Sequence, residues 1–272
     1  MLAEARRRAI ADALKTSGAV TISEVEARFG VSPMTARRDL AELERRGVVR
    51  RTHGGGVLPS ARTGHEDSFA RRLKVAPQAK RLLAERAVAE MSPREAVFLD
   101  SSTTSYFVAR RMLETGMSGT VLTNSLPVME LVFHEGGPEL ELVCVGGTLR
   151  RLTRSFVGPA AVRTVQAHYA DRLVMSVKGL TPQGAMTDAD PLEAEVKRTM
   201  IGQSGVSVVL VDAGKLSVRG LSVIASASEV SLVLAHGLSD QEASAMRAAG
   251  ASVEVLDAAG DEAEDPGSAA AS

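Results

Sequence analysis

The stretch from Ser23 to Gly56, SEVEARFGVSPMTARRDLAELERRGVVRRTHGGG, constrains this chain more than any other part of it. It holds two short helical patterns joined by a tight turn, arginines on the free face of the second, and a basic hairpin signal directly after. Upstream, Ile10, Ala13 and Leu14 recur at helical spacing, so residues 3–16 predict an amphipathic helix that Gly18 ends, with a short strand at Val20–Ile22. Ser23 stands three residues before Glu26, the capping-box spacing that predicts where the second helix begins. Val25 and Phe29 give that helix its apolar face, and Gly30 closes it. Ser32 and Pro33 open the third helix with a side-chain cap and a proline at the first helical position.

In the third helix Ala36, Leu40 and Leu43 fall on one side. At about 100° per residue, Met34, Arg37, Arg38, Ala41 and Arg45 project from the other. The helix N-terminus, with Ser32 and Thr35, can donate to a phosphate. Arg37 and Arg38 suit guanine edges or backbone, and the residues alone do not assign which. Val48 to Val57 reads as two short strands around a glycine turn, a wing whose Arg50, Arg51 and His53 would meet backbone or minor groove. His53 alone also suits a structural place in the turn. An arginine face is commonly just solvated surface, but cap, basic helix and basic hairpin in so short a span point to double-stranded DNA. Charge agrees: residues 1–80 carry 16 Lys and Arg against 9 Asp and Glu, while residues 81–272 carry 16 against 24. A basic end on an acidic body docks DNA through that end.

Residues 1–57 are therefore predicted as a winged helix-turn-helix DNA-binding domain, and 272 residues leave room for a second, larger one. Residues 58–79, polar and holding two prolines, read as a linker. Residues 258–272, AAGDEAEDPGSAAAS, read as a disordered acidic tail. No run approaches 18 apolar residues and no leader pattern stands at the start, so a cytoplasmic protein with no membrane partner is expected. Cys144, the single cysteine, sits in an apolar run expected to be a buried strand. No His, Cys and carboxylate spacing suggests a metal, and no cofactor is expected.

Residues 80–257 alternate helix and strand. Ala96–Leu99, Thr120–Leu122, Leu140–Val145 and Val206–Val211 are short apolar runs, with Leu173–Val177 and Val230–Leu234 weaker ones. Helical patterns lie between them at residues 81–90, 105–113, 126–133, 192–201 and 240–249. Such alternation predicts an α/β domain with a mostly parallel sheet covered by helices. Ligands of such sheets bind beyond the carboxyl ends of the strands. There the sequence places Asp100, Ser101, Ser102, Thr103 and Thr104, then Thr123 and Asn124, then Gly146 and Gly147, and after the fourth run Asp212 to Lys215. Hydroxyls, glycines and a lysine at one edge suit a small anionic, polyhydroxylated molecule, a sugar phosphate best of all. Any one of these alone would be ordinary turn or cap chemistry. Lys178 and Lys197 fit either this edge or solvent.

Both halves resemble the DeoR family of bacterial transcriptional repressors, from about Arg6 to Leu256. The resemblance rests on Val31-Ser32-Pro33-Met34-Thr35-Ala36-Arg37-Arg38-Asp39-Leu40, Leu43-Glu44 and Arg51-Thr52-His53-Gly54-Gly55. Further matches are Leu99 to Thr104, Thr123-Asn124, Gly146-Gly147, Val157-Gly158-Pro159, Glu193-Ala194 with Val196-Lys197, and Asp212 with Lys215. It implies a sensor domain similar in fold to ribose-5-phosphate isomerase and glucosamine-6-phosphate deaminase. It also implies a phosphorylated sugar as effector, repression of a carbohydrate operon, and a homodimer or larger homo-oligomer. Two positions depart from the family pattern. Ser102 stands where glycine is usual, which would narrow a phosphate cradle or add a hydroxyl, and Ala36 replaces a β-branched residue.

The expectation is a ligand-gated DNA-binding regulator and not an enzyme. An isomerase carrying a DNA-binding head and a constitutive DNA binder without effector are the alternatives. Isomerisation needs a positioned carboxylate base, and Asp100, Asp188, Glu193 and Lys215 show no spacing that commits them to it.

Overall fold

The computed structural model describes residues 3–17, 19–45, 49–52, 55–57, 68–216 and 218–256. Two compact units divide the chain, residues 1–66 and 67–272, each with its own core.

The first unit runs α1 (Ala3–Ser17), β1 (Ala19–Thr21), α2 (Ile22–Phe29), α3 (Pro33–Arg45), β2 (Arg50–Thr52) and β3 (Gly55–Val57). Ile10, Val25, Ala36, Leu40, Leu43 and Val49 close into one core, so these helices bury the faces that their spacing marks. The cap of α2 is not the expected one. Thr21 takes that place: its Oγ1 accepts the Glu24 amide at 3.1 Å, and Glu24 Oε2 accepts the Thr21 amide at 2.7 Å. The sequence carries two overlapping capping boxes, Thr21 with Glu24 and Ser23 with Glu26. Strand pairing chooses between them, because Thr21 is the last residue of β1 held in register, opposite Gly55. Ile22 accordingly begins the helix instead of ending the strand. Gly30 ends α2 at φ 63°, a left-handed turn that glycine adopts without strain.

β3 pairs antiparallel with both β1 and β2. Gly55 permits this approach, since a Cβ there would collide with the Val20 carbonyl oxygen. One polar residue is buried in α3. Asp39 Oδ2 accepts Arg6 Nε at 2.5 Å and Oδ1 accepts Arg7 Nε at 2.9 Å, which ties α3 to α1.

The second unit opens with α4 (Phe69–Leu73) and α5 (Pro77–Ala89). Residues 68–79 are thus not a linker, as the sequence suggested. Phe69 is buried with its ring edge-on to Tyr106, and Pro77 is an N-terminal proline of α5, which buries Ala79, Leu83, Ala84, Ala87 and Val88. Residues 58–67 and the acidic tail lie outside the described residues. β4 (Ala96–Leu99), α6 (Thr103–Glu114), β5 (Gly119–Thr123), α7 (Leu126–Glu135) and β6 (Leu140–Cys144) follow. A hairpin of β7 (Thr148–Arg150) and β8 (Ser155–Val157), then α8 (Pro159–Gln166), lead back to β9 (Ala170–Ser176). Next come β10 (Gly179–Leu180), β11 (Ala185–Asp188), α9 (Pro191–Gly202), β12 (Ser204–Asp212) and β13 (Ser222–Ser226). β14 (Leu232–His236), α10 (Asp240–Ala248) and β15 (Val253–Leu256) complete the unit.

Seven strands form one parallel sheet in the order β15-β14-β12-β9-β4-β5-β6, and β10, β11 and β13 form a small antiparallel sheet. Alternate residues of each inner strand enter opposite cores. Val97, Leu99, Val174, Val208 and Leu210 meet α5, α6 and α7 on one face. Phe98, Leu173, Met175, Val209 and Val211 meet α8, α9, α10 and the small sheet on the other. A sheet covered on both faces requires such continuous apolar runs. β6 is the exception: it lies at the sheet edge and Cys144 is exposed, so the expectation of a fully buried strand fails there.

Strand order places the site. From β4 the chain builds outward through β5 and β6, returns to β9 on the other side of β4, and continues outward through β12, β14 and β15. Strand order reverses between β4 and β9, and the crevice beyond their carboxyl ends is where open parallel sheets bind ligands. No described helix is long and apolar enough to cross a membrane.

Asp39→Ala would remove the buried carboxylate that Arg6 and Arg7 share, and the first unit is expected to lose about 3–5 kcal/mol. Amide hydrogen exchange in α1 and α3 reads this directly, and a loss under about 1 kcal/mol would contradict it.

Candidate functional site

Asp100 follows β4 directly at the switch point. Its Oδ1 accepts the Ser105 hydroxyl at 2.5 Å and the Ser102 amide at 3.2 Å, and its Oδ2 accepts the Ser176 amide at the end of β9. Helix α9 supplies the rest. Asp190 caps it through the amides of Leu192 and Glu193, and Pro191 follows as an N-terminal proline. Glu193 and Lys197, four residues apart, share the buried face. Glu193 accepts the hydroxyls of Ser101 at 2.9 Å and Ser155 at 2.5 Å. Lys197 Nζ lies 2.6 Å from Asp188 Oδ2, 2.9 Å from the Ser176 carbonyl and 3.3 Å from Asp100 Oδ2. Burial alone would lower the Lys197 pKa, but Asp188, Asp100 and Glu193 hold it above the ordinary lysine value. Asp188 is the complement: burial would raise it, yet Lys197 and the backbone donors of Asp190 and Ala189 keep it below the usual range.

Lys215 and Lys80 behave oppositely. Lys215 donates to Ser176 Oγ at 2.6 Å and is half-buried. Burial, with repulsion from Lys197 and Lys80 only partly offset by Asp212 and Asp100, lowers it to about 8. Lys80 donates to the carbonyls of Arg72 at 2.6 Å and Val75 at 2.5 Å. Burial and the Arg72 charge, against Asp212, lower it to about 8 as well. Among the described residues neither ammonium has a carboxylate within ion-pair distance. At the same strand ends Thr104 Oγ1, Asn124 Oδ1 and Ser125 Oγ are buried with no hydrogen-bond partner. Native folds rarely leave such groups unmatched. Disfavoured cations and unmatched hydroxyl and amide oxygens at these strand ends are the groups that an anion carrying hydroxyls would match.

The structure gathers some of the expected residues and gives others different work. Asp100, Ser101, Thr103, Thr104, Asn124, Lys197 and Lys215 stand at the switch-point edge, and burial of Lys197 removes its solvent alternative. Ser102 is the N-cap of α6, with its hydroxyl on the Ser105 amide and hydroxyl, so it neither lines a cradle nor offers a free donor. Thr123 holds a turn, donating to the Leu99 carbonyl at 2.7 Å and accepting the Ser125 amide. Gly146 is exposed, and Gly147 at φ 153° lets the hairpin pack against α8, where a Cβ would press on the Val157 carbonyl. Both lie after edge strand β6, two strands from the switch point. Lys178 is half-buried, and its amide donates to the Thr187 carbonyl across the small sheet. The sequence reading did not select Lys80, Ser105, Ser155 or Ser176, and it named Asp188 and Glu193 only as carboxylates without a catalytic spacing, Glu193 also standing in the matched motif with Lys197.

In the first unit the exposed face of α3 carries Met34, Arg37 and Arg38. Ser32 Oγ caps the Thr35 amide at 3.3 Å, so the helix N-terminus is built as its sequence predicts. Arg45 is exposed but forks onto Glu42 of its own helix at 2.7 and 3.0 Å, which neutralises its charge. Arg50 and Arg51 stand on β2, and His53 lies outside the described residues. Two open cavities lie elsewhere. One of about 340 Å³ is lined by Glu85, Met91, Arg111 and Met117 at the opposite strand ends, and one of about 480 Å³ by Ile10, Val25 and Phe29 in the first unit. Neither gathers converging ammonium groups and hydroxyls, so chemistry and not volume marks the site.

A sequence model described as the DeoR C terminal sensor domain matches residues 75–236, and one described as the DeoR-like helix-turn-helix domain matches residues 6–62. The chain belongs to the DeoR family of transcriptional regulators. It is similar to the HTH-type transcriptional regulator GlpR of Haloferax volcanii, 33% identical over 89% of this chain and 93% of that protein. It is also similar to the HTH-type transcriptional repressor GlcR of Bacillus subtilis, 30% identical over 89% and 91%. The L-fucose operon activator of Escherichia coli is 29% identical over 87% and 95%. Among solved structures, ribose 5-phosphate isomerase from Methanocaldococcus jannaschii overlays loosely, with a TM-score of 0.38 at 15% identity over 53% of this chain and 56% of that one. A likeness that loose says nothing about chemistry.

In this DeoR-type sensor, Lys197→Ala would leave Asp100 and Asp188 as buried uncompensated charges. The second unit is expected to lose about 3–5 kcal/mol, measured by urea unfolding near neutral pH. Because the folded pKa of Asp188 is lowered, its share of stability is complete above about pH 4 and lost as pH falls further. An unchanged urea midpoint in Lys197→Ala would contradict the assignment.

Proposed function

We propose that this regulator controls a carbohydrate operon and is gated by a phosphorylated sugar seated at the carboxyl ends of β4, β5, β9 and β12. The observation that carries the reading is the pair of lysines, Lys80 and Lys215, held beside unmatched hydroxyl and amide oxygens with no carboxylate of their own. A phosphoryl dianion would neutralise them, and the sugar hydroxyls would match Thr104, Asn124 and Ser125. The names of relatives support the substrate class: one is a fucose operon activator. They include a repressor as well as this activator; release from DNA is the sign proposed here.

DNA binding would use the arginine face of α3 in the major groove, with Arg37 and Arg38 on bases or phosphates and β2 with β3 as the wing. A cytoplasmic homodimer would present two such helices about 34 Å apart along the duplex, or a multiple of that. The carboxylates favour regulation over catalysis. Asp100, Asp188 and Glu193 each already accept two or more hydrogen bonds or an ammonium, and Asp212 caps the Gly214 amide. None is poised to remove a carbon-bound proton. Steady conversion of a sugar phosphate by the purified chain would overturn this reading.

The test is fluorescence anisotropy on the chain's own upstream DNA, titrated with a panel of sugar phosphates. One compound is expected to shift operator affinity by roughly 5- to 150-fold; no response to any of them would refute gating. Arg38→Ala is expected to abolish operator binding and spare effector binding, while Lys215→Ala does the reverse. Effector affinity is expected to fall as pH rises through about 8, because Lys80 and Lys215 lose the protons that an anion requires. Calorimetry in two buffers reads the same linkage as proton uptake near pH 8, and its absence would place the anion elsewhere.

A further inference from the structure

Arg72, on α4, has a guanidinium whose Nε and Nη2 are both buried and both without a hydrogen-bond partner. These two groups form one edge of the guanidinium, the fork that receives a carboxylate or phosphate side-on. In two other arginines that edge is filled. Arg86 places Nε and Nη2 on Glu254 at 2.7 and 3.1 Å, and Arg45 places them on Glu42. Arg72 is held no less firmly than these. Its guanidinium carbon lies 6.0 Å from the Phe69 ring centre, Phe69 is buried edge-on to Tyr106 of α6, and the Phe69 amide donates to the Leu152 carbonyl. The Arg72 carbonyl receives Lys80 Nζ, and the Arg72 charge helps to lower the Lys80 pKa.

A cation is therefore fixed next to a lysine that it disfavours, with an empty, desolvated fork. We infer that Arg72 grips a phosphoryl oxyanion side-on, beside Lys80 and Lys215, and so places one contact of the effector site on the first helix after residues 58–67, the segment that joins the two units. The inference rests on the anion-site reading above. A dianion suits the count, since three cations, Arg72, Lys80 and Lys215, stand without a paired carboxylate among the described residues. Thr104, on the first turn of the helix that carries Tyr106, adds an unmatched hydroxyl.

The test is a phosphorus NMR titration of inorganic phosphate with the full-length chain, comparing wild type, Arg72→Lys, Arg72→Gln and Lys215→Ala. Arg38→Ala serves as the control for probe held by the recognition helix. Thermal unfolding establishes that each variant is folded. Arg72→Lys keeps a cation but lacks the planar fork, so it remains decisive should Arg72→Gln fail to fold. Phosphate affinity is expected to fall roughly tenfold or more in Arg72→Lys, and further in Arg72→Gln. Wild-type affinity in the folded Arg72 variants would overturn the role of Arg72, and loss in Lys215→Ala alongside it would leave the anion site standing without this residue. Absence of phosphate binding in the wild-type chain would overturn the inference together with the reading beneath it.

Discussion

The sensor unit depends on one buried charge. Lys197 stands where the strand order reverses, and it joins α9 to β4, β9 and β11 through Asp100, the Ser176 carbonyl and Asp188. An ammonium in that interior would cost several kcal/mol of desolvation if left alone. Two carboxylates and a carbonyl offset the cost, and they do so only in one geometry. Asp100 must turn toward β9, which sets the loop that opens α6. Glu193, one helical turn before Lys197, takes the Ser101 and Ser155 hydroxyls and draws the β7–β8 hairpin over the strand ends. A single ion cluster thus fixes the floor of the site and part of its roof.

With those carboxylates occupied, the remaining cations are left in excess. Lys215 leans on Ser176, Lys80 on two backbone carbonyls, and both are easier to deprotonate than an ordinary lysine. The proposed site is therefore disfavoured electrostatically, and a bound anion would relieve it. That is the physical basis on which a bound metabolite can alter the unit: its charge completes a cluster that the protein leaves incomplete. Several of the groups are buried, so seating a ligand requires the segments above them to move.

Much of this was legible in the sequence, for reasons that also explain what was not. Periodicity revealed α3 and its arginine face because burial of Ala36, Leu40 and Leu43 alone orients it. Alternating helices and apolar runs revealed the parallel sheet, and Asp100 and Lys215 followed as strand-end residues. Hydroxyl runs misled, because a threonine at a strand end serves a turn or a ligand equally well. Thr123 bonds a carbonyl 24 residues away, which no local pattern displays. Asp188 was named only as a carboxylate without a catalytic spacing, because β11 is a short strand of a side sheet, and Lys80, the first residue after the expected linker, gave no local sign of the Arg72 and Val75 carbonyls that it bonds. Asp39 stood within the recognition motif, yet its role depends on α1, some 30 residues earlier in the chain.

The central claim is that the anion site and the arginine helix share one coupling free energy, which is necessarily reciprocal. The most direct measurement is the affinity of the active sugar phosphate with and without saturating operator duplex. If the two sites are coupled, operator changes effector affinity by the same factor by which effector changes operator affinity. An effector affinity unmoved by operator, in a chain whose operator affinity the same compound shifts, would contradict the claim.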